Sequence, residues 1–294
     1  AAEGLPDNSL RVLSAESKKA DDVKNGIIEQ SSGAAYKTAE LIKLLHNSAR
    51  ISPRIDRFCT SVNAKSMKLE TASYTRDFKK SETITREIID KMALACEKEL
   101  VTDETEIYDI FPVIYVVDGQ EVEHPEGKTA RSVTAHYHVV KGSSRIKANL
   151  HKCFDRVYGF RPESYPHLSI EALALAATEE DDRKEGCAII DFGATTTTLG
   201  IYRSEILQDI LVVPLGGLHI TKDIEEIGIS DAHAEKLKCL KGTASESYVE
   251  KAVQIQVPPK NPGDEVVKIS TKLLATIIEA RLEEILEPVF EMLE

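Results

Sequence analysis

Two periodicities of apolar residues divide the chain into helical and extended segments. Ile88, Met92 and Cys96 recur every four residues, which places them on one face of an α-helix. Thr85 precedes that face as a predicted N-cap, since its hydroxyl can accept from a backbone N–H of the first turn. Similar spacing predicts helices at 34–45, 85–100, 146–157 and 170–178, and Gly159 is predicted to stop the third of these. Two more helices are predicted to begin at about 220 and at 269, and Pro288 is predicted to kink or end the last one.

Extended segments carry β-branched and aromatic residues between turn signals. Asp118-Gly119 follows a run of β-formers, and a type I′ turn needs positive φ at both of its central residues, so this pair predicts a hairpin. Strands are predicted at 10–15, 57–62, 68–74, 113–117, 132–140, 187–191, 196–202, 209–214 and 243–257.

The order of these elements predicts an insertion. Segment 56–142 consists mostly of strands with one helix, and helical segments flank it on both sides. This is the pattern of a small α+β unit inserted into another domain.

Composition narrows the class of protein. Lys and Arg number 37 against 49 Asp and Glu, a net charge of −12, which argues against binding to nucleic acid or to anionic lipid. Five cysteines without a C-x-x-C pair predict neither a disulfide framework nor a zinc site, and fit a reducing cytoplasm. No long apolar run or signal peptide is visible, and the start at Ala1 and the stop inside a helical pattern at Glu294 are expected of a piece of a longer protein.

The most informative motif follows the strand at 187–191. An apolar strand ends in Asp191, and the chain then turns through Gly193, Ala194 and Thr195. Such a turn can direct consecutive backbone N–H groups at phosphate oxygens, while the acid lies where a hydrated Mg²⁺ would bind. An ordinary hairpin with an acidic and a glycine turn residue remains the alternative.

A wider set of motifs resembles the bacterial cell-division ATPase family FtsA, of the actin/Hsp70 superfamily. The runs that carry the resemblance are D-F-G-A-T-T at 191–196, V-P-L-G-G at 213–217, T-K-D-I at 221–224 and I-F-P-V-I-Y-V-V-D at 110–118. It implies an α/β actin-like (ribonuclease H-like) two-lobed fold with an inserted α+β subdomain of the 1C or SHS2 type.

The resemblance also implies a division of the chain. Subdomain 1A would comprise 1–55 and 143–182, the insert 1C 56–142, subdomain 2A 183–222 and 269–294, and subdomain 2B 223–268. Subdomains 1A and 2A are expected to be incomplete, since the first phosphate loop (D-x-G-[ST]) and the C-terminal Gly-Gly motif do not occur.

From the same resemblance follow the expected ligands. Asp191 would hold Mg²⁺ through water, and Gly193, Ala194 and Thr195 would present amides to the phosphates of ATP. Gly216 and Gly217 would let the chain pass close to the nucleotide, and Glu235 and Lys238 would meet ribose and adenine. Because Ala194 replaces a family glycine and half of the cage is missing, we expect weak ATP binding or none, at most a weak ATPase, and no identifiable catalytic residue.

Expected partners follow from the family as well. Subdomain 2B would bind the acidic C-terminal tail of an FtsZ-type filament protein through Lys236, Lys238 and Lys241, unless these are ordinary solvated lysines. Thr271 stands where the family has an arginine, and Lys268 or Lys272 could substitute.

Self-association would use the insert. Membrane contact would need a C-terminal helix that this sequence does not contain, and the full-length protein would act in the cytoplasm at the inner face of the membrane. The alternative function is a non-enzymatic actin-fold scaffold, similar to the pilus-assembly protein PilM, that uses the lobes for protein contacts only.

Two other features are interpreted as structural. His136 and His138 share a strand face but have no third metal ligand nearby in sequence, so a surface or core role is favoured over a metal site. The acidic run at 179–182 is predicted to be a solvated loop between lobes.

Overall fold

The computed structural model describes residues 1–6, 9–49, 58–158 and 164–294. The helices are α1 (Ser31–Ala49), α2 (Arg86–Leu100), α3 (Ser144–Tyr158), α4 (Ser169–Ala177), α5 (Glu180–Glu185), α6 (Gly217–Glu225), α7 (Asp231–Lys241) and α8 (Thr271–Leu293), with a 3₁₀ turn at Glu246–Tyr248. The strands are β1 (Ala2–Gly4), β2 (Leu10–Val12), β3 (Val23–Lys24), β4 (Ile27–Ile28), β5 (Phe58–Val62), β6 (Lys68–Thr83), β7 (Thr105–Val117), β8 (Gln120–Val122), β9 (Thr129–Ser143), β10 (Ser164–Leu168), β11 (Cys187–Phe192), β12 (Thr197–Arg203), β13 (Ile206–Val213), β14 (Gln254–Val257) and β15 (Val267–Ser270).

The inserted module is a four-stranded antiparallel sheet, ordered β6-β9-β7-β8, with α2 packed on one face. Thr85 caps α2 as predicted, since its hydroxyl accepts from Ile88 N–H at 3.4 Å. Met92 of α2 and Ile84 before it are completely buried. Asp118 and Gly119 join β7 to β8 with φ of 48° and 87°, so the predicted type I′ turn is confirmed.

A three-stranded antiparallel sheet, β11-β12-β13, forms the middle layer of the chain's second half. One face, through Ile189 and Leu207, belongs to a core shared with β5, α4 and the edge of the inserted module. The opposite face, through Leu199 and Val213, packs on Val289 of α8. Helices therefore cover both faces of the sheet, and its loops remain at its ends.

A separate core lies beyond this sheet. Helices α6, α7 and α8 and the β14–β15 hairpin bury a cluster that includes Ile224, Ile229 and Leu274, each completely buried. This cluster fixes α7 against α6, which matters for the site described below.

The two histidines of β9 have hydrogen-bond partners, in line with the structural interpretation. His136 Nδ1 lies 2.7 Å from Ser73 Oγ, and His138 Nδ1 donates to Leu207 O at 2.9 Å, which joins the insert to the β12–β13 hairpin. Across the ranges described, no three His, Cys, Asp or Glu side chains cluster as metal ligands would.

Two local predictions were wrong, and for the last helix one of the two predicted alternatives, an end at Pro288, is excluded. The acidic run at 179–182 is not a loop but begins helix α5, because Glu179 N–H donates to the Asp182 carboxylate at 2.9 Å and acids favour a helix N-terminus. Segment 243–257 is extended only over Gln254–Val257, since Ser245 caps a 3₁₀ turn instead. Helix α8 does not end at Pro288 but continues to Leu293.

Two predictions lie on residues outside the described ranges, namely the helix stop at Gly159 and the start of a strand at 57.

Within the described ranges no helix has the length and apolar character needed to span a membrane.

A pair of carboxyl groups joins the inserted module to α4. Glu171 of α4 lies beside Asp109 of β7, and both are half-buried. Burial, and then the neighbouring Asp109, raise the pKa of Glu171 to about 7. Glu171 therefore keeps its proton to a higher pH than an exposed glutamate does.

The Glu171→Gln variant tests this pair. Because Glu171 is harder to ionise in the folded chain than in the unfolded one, stability falls as pH rises from 4.5 towards about 7. Glutamine mimics the protonated form, so the fall across this window becomes shallower. Urea unfolding as a function of pH measures it, with exposed Glu99→Gln as the control. A slope in Glu171→Gln as steep as in the parent chain contradicts the assignment.

Candidate functional site

The turn between β11 and β12 is closed by one backbone hydrogen bond. Gly193 N–H donates to Thr196 O at 2.9 Å. A Cβ on Gly193 would lie 2.7 Å from that same carbonyl oxygen, so this position requires glycine. The methyl of Ala194 instead points to an exposed position, which the turn accommodates.

Several polar groups of the turn are left without partners. Within the described residues the N–H groups of Ala194 and Thr195 and the carboxylate of Asp191 have no hydrogen-bond partner. Ala194 is exposed, and Thr195 and Asp191 are half-buried. Two consecutive free amides at an open turn can donate to one anion, and a free carboxylate nearby can accept from the water shell of a cation.

Helix α6 begins directly against this turn. Gly217 N–H donates to Gly193 O at 3.0 Å, and Leu218 N–H donates to Ala194 O at 2.7 Å. These amides are among the groups that a helix leaves unpaired at its N-terminus. The turn therefore caps the helix, and these two N–H groups do not face a ligand.

Gly216 makes that approach possible. A Cβ on Gly216 would lie 2.4 Å from Gly193 O and 2.9 Å from the carbonyl atoms of Ala194. A Cβ on Gly217 would meet nothing closer than Lys238 Nζ at 3.5 Å, an ordinary contact. The fold therefore excludes a side chain at position 216 but leaves room for a Cβ at position 217.

Lys238 and Glu235 of α7 reach the first turn of α6. Lys238 Nζ donates at 2.8 Å to each of three acceptors, Gly217 O, Thr221 Oγ1 and Glu235 Oε2. The Thr221 hydroxyl also contacts Glu235 Oε2. All three ammonium protons are used, so Lys238 is a fixed charge that ties α7 to α6.

This network controls the ionisation of Glu235. Hydrogen bonds from Lys238, and then from Thr221, lower the pKa of Glu235 to about 2. Its side chain is 48% exposed, against 18% for Lys238. Glu235 therefore stays ionised, with about half of its side chain exposed.

The eight residues singled out by sequence follow one contact path. Asp191 to Thr195 form the turn, Gly216 and Gly217 pack on it, and Lys238 and Glu235 contact Gly217 and Thr221. Lys238, however, does not belong to an open basic patch with Lys236 and Lys241, because its ammonium group is already occupied.

Two participants received no role from the sequence, although Thr221 belongs to the T-K-D-I run that carries the family resemblance. Asn63, at the entry to the inserted module, donates through Nδ2 to Thr198 Oγ1 and lies 3.5 Å from Thr196 Oγ1. Thr221 completes the Lys238 network and lies four residues after Gly217. The spacing of Thr221 on α6 was a usable signal, whereas nothing local in the sequence connects Asn63 to a turn more than a hundred residues away.

The residues present fit a phosphate group in part. The free amides of Ala194 and Thr195 suit a phosphate oxygen, and Asp191 suits hydrated Mg²⁺. The N-terminus of α6 does not add to this site, since the turn already occupies its amides. The structure thus offers half of a phosphate site.

Comparisons with known proteins agree on one family. The family model described as "Cell division protein FtsA" matches residues 188–293, and "SHS2 domain inserted in FTSA" matches residues 64–141. The second match lies inside the segment 56–142 that the strand pattern marked as an insertion.

Curated relatives and a solved structure extend the match. Cell division protein FtsA of Rhizobium meliloti is 26% identical over 292 residues, 95% of this chain and 63% of that protein. The Bacillus subtilis protein is 33% identical over 200 residues, 66% of this chain and 44% of its own length. The chain thus spans less than two thirds of either relative.

The PilM-PilN type IV pilus biogenesis complex contains a chain with a TM-score of 0.54 and 17% identity, covering 81% of this chain and 65% of that chain. The expected actin-like α/β fold with an SHS2 insert is confirmed.

Replacement of Lys238 by methionine tests the network. In the parent chain an NMR titration should place the pKa of Glu235 near 2, and Lys238→Met should raise it towards 4.5, because the first hydrogen-bond donor is lost. Since a depressed pKa stabilises the fold only above the unfolded value, the same variant should also lose less stability between pH 4.5 and about 2.

Lys241→Met, on the same helix, is the matched control and should leave Glu235 unchanged. An unshifted Glu235 in Lys238→Met would show that the ion pair does not form in solution.

Proposed function

The chain belongs to the FtsA family of cell-division proteins, and from this we propose that it acts as an actin-like division adaptor with a weak phosphate-binding site at the 191–195 turn. In this proposal the inserted SHS2 module mediates self-association and subdomain 2B binds the acidic tail of an FtsZ-type partner. The place of action is the cytoplasmic face of the membrane.

One observation carries the nucleotide part of the proposal. The N–H groups of Ala194 and Thr195 are consecutive and have no hydrogen-bond partner within the described residues. Backbone amides in such a turn stabilise an anion without any side-chain rearrangement. The bound group would be ATP with Mg²⁺, which supplies phosphate oxygens and a divalent charge.

Each residue then has a defined task. Ala194 and Thr195 would donate to a phosphate oxygen, and Asp191 would orient water molecules around Mg²⁺. Gly216 would keep the α6 segment close behind the turn, and the exposed part of the Glu235 carboxylate would accept from a ribose hydroxyl. Lys238 would hold Glu235 in place rather than touch the base itself.

The same geometry limits affinity and turnover. Two amides at the start of α6 serve the turn, and Ala194 carries a methyl group where the family has glycine. The sequence identifies no general base. We therefore expect weak binding and at most slow hydrolysis.

A scaffold without nucleotide is the second candidate. It is favoured by the closed contacts of this site, in which Lys238 already has three acceptors and α6 is already capped. In that case the turn would act only as a structural joint between β11 and α6.

The partner proposal rests on charge. Lys236 and Lys241 are exposed on α7, and Lys268 is exposed before α8, although the chain as a whole carries −12. Lys272 forms an ion pair with Glu246 at 2.9 Å and is therefore less available. A local reversal of charge would steer an acidic tail to this face.

Titration with Mg-ATP separates the two candidates. We expect shifts of the Ala194 and Thr195 amide resonances, with a dissociation constant of about 1 mM. Gly216→Ala should abolish the shifts and lower the melting temperature, because its Cβ would collide with Gly193 O at 2.4 Å. Gly217→Ala, whose Cβ has room, should preserve both. Unchanged resonances at several millimolar would favour the scaffold.

A tail peptide of an FtsZ-type protein tests the partner. Lys236→Glu with Lys241→Glu should weaken binding about tenfold at low salt, since two exposed charges are reversed. Lys79→Glu with Lys80→Glu, exposed on β6, changes the net charge equally and should have little effect. Equal losses in both pairs would mean that only the overall charge matters.

A further inference from the structure

One side chain ties the entry of the inserted module to the 191–195 turn. Asn63 directly follows strand β5, and its Nδ2 donates to Thr198 Oγ1 and lies 3.5 Å from Thr196 Oγ1. Thr196 also closes the turn, since its carbonyl accepts from Gly193 N–H at 2.9 Å. The amide of Asn63 therefore joins the end of β5 to a residue that holds the turn in shape.

This contact is buried, but its hydrogen bonds are incomplete. Thr196 and Thr198 are both buried. Asn63 Oδ1 is buried as well, and within the described residues it has no hydrogen-bond partner. An unpaired buried acceptor is unfavourable, and threonine hydroxyls can donate as well as accept. The amide thus has a second way to bond the same two hydroxyls, with Oδ1 as the acceptor, and a movement of the turn can favour it.

On its other side, Asn63 leads directly into the base of the insert. Ala64, the next residue, is completely buried, and its carbonyl accepts from Met67 N–H at 2.9 Å. Ser66 of this entry turn accepts through Oγ from the N–H of Ser143, the last residue of β9, at 3.2 Å. The chain entering the insert and the chain leaving it are therefore held together, so a movement of Asn63 reaches both.

We propose that Asn63 is a positioning residue that couples the 191–195 turn to the base of the inserted module. An anion held by the N–H groups of Ala194 and Thr195 pulls on the turn, and Thr196, the next residue, passes the change to Asn63. The module assigned above to self-association thereby responds to occupation of the turn. For its ligand this inference rests on the proposed phosphate site, whereas the contact through Asn63 exists without a ligand.

The donors of Asn63 disfavour a direct contact with the anion. A side-chain amide has two N–H hydrogens, and those of Asn63 are directed at the hydroxyls of Thr196 and Thr198. The remaining polar atom, Oδ1, is an acceptor and would repel a phosphate oxygen. Asn63 therefore acts on the turn through the two threonines.

The first test needs no ligand and measures amide hydrogen exchange at Met67 in the entry turn. Gly193→Ala displaces the Thr196 carbonyl, because the new Cβ would lie 2.7 Å from that oxygen. Ala194→Gly is a milder change that loosens the turn without a clash. Each change should speed the exchange of Met67 by about fivefold, since the entry turn loses part of its support.

The same changes in an Asn63→Ala background isolate the coupling. Without the amide, they should alter the exchange of Met67 by less than about 1.5-fold. Asn149→Ala removes another side-chain amide, which donates to Ile28 O at 2.8 Å, and should leave the response at full size. Gly217→Ala, whose Cβ has room, should not change the exchange of Met67 in any background. Equal responses in the Asn63→Ala and Asn149→Ala backgrounds overturn the coupling.

The second test adds Mg-ATP and records the amide resonances of the ¹⁵N-labelled chain. In the parent chain, shifts of Ala194 and Thr195 should be accompanied by shifts of Ala64 and Met67. In Asn63→Ala only the shifts of the turn should remain, because binding is preserved and its transmission is lost. A purely structural role of Asn63 would not separate the two sets of shifts.

The outcomes distinguish this inference from the proposed phosphate site. Shifts at the turn without shifts at Ala64 and Met67 in the parent chain overturn the coupling and leave the phosphate site in place. No shifts at the turn, with the hydrogen-exchange response intact, overturn the phosphate site and support the coupling. Loss of the turn shifts in Asn63→Ala assigns Asn63 to the phosphate site itself and overturns its role as a positioning residue.

Discussion

Two backbone hydrogen bonds between a turn and a helix determine the geometry of the candidate site. The carbonyls of Gly193 and Ala194 accept from Gly217 and Leu218, which are among the amides that a helix N-terminus leaves unpaired. The approach is possible only because Gly216 has no Cβ. Helix α6, and through its first turn α7, is therefore positioned from the end of strand β11.

The same contacts organise the site and restrict it. The turn directs its carbonyls towards α6, and within the described residues the amides of Ala194 and Thr195 are left without a hydrogen-bond partner. The cost is that the helix start, often the strongest anion site in an α/β fold, is already used. Lys238 shows the same compromise, since three acceptors fix its position and occupy every proton it could offer.

Local sequence signals predicted most elements, and long-range contacts decided the rest. The cap at Thr85 and the Asp118-Gly119 turn depend on a few neighbouring residues, and the structure has both. The acidic run at 179–182 was predicted to be a solvated loop because of its charge. In the structure the contact between Glu179 N–H and the Asp182 carboxylate begins a helix there. The contact of Asn63 could not be predicted from local sequence. Its hydrogen bond to Thr198 joins residues 135 positions apart and depends on how β5 and β12 share one core.

The charges of α8 show how buried side chains hold a helix in place against unfavourable charges. Four glutamates lie in its second half, near the end where the helix dipole disfavours negative charge, and each such charge costs about 0.3–1 kcal/mol at most when exposed. Burying Ile285 and Val289 contributes about 1.5–3 kcal/mol each, so the core face holds the helix despite those charges. Stability therefore neither requires nor explains these glutamates.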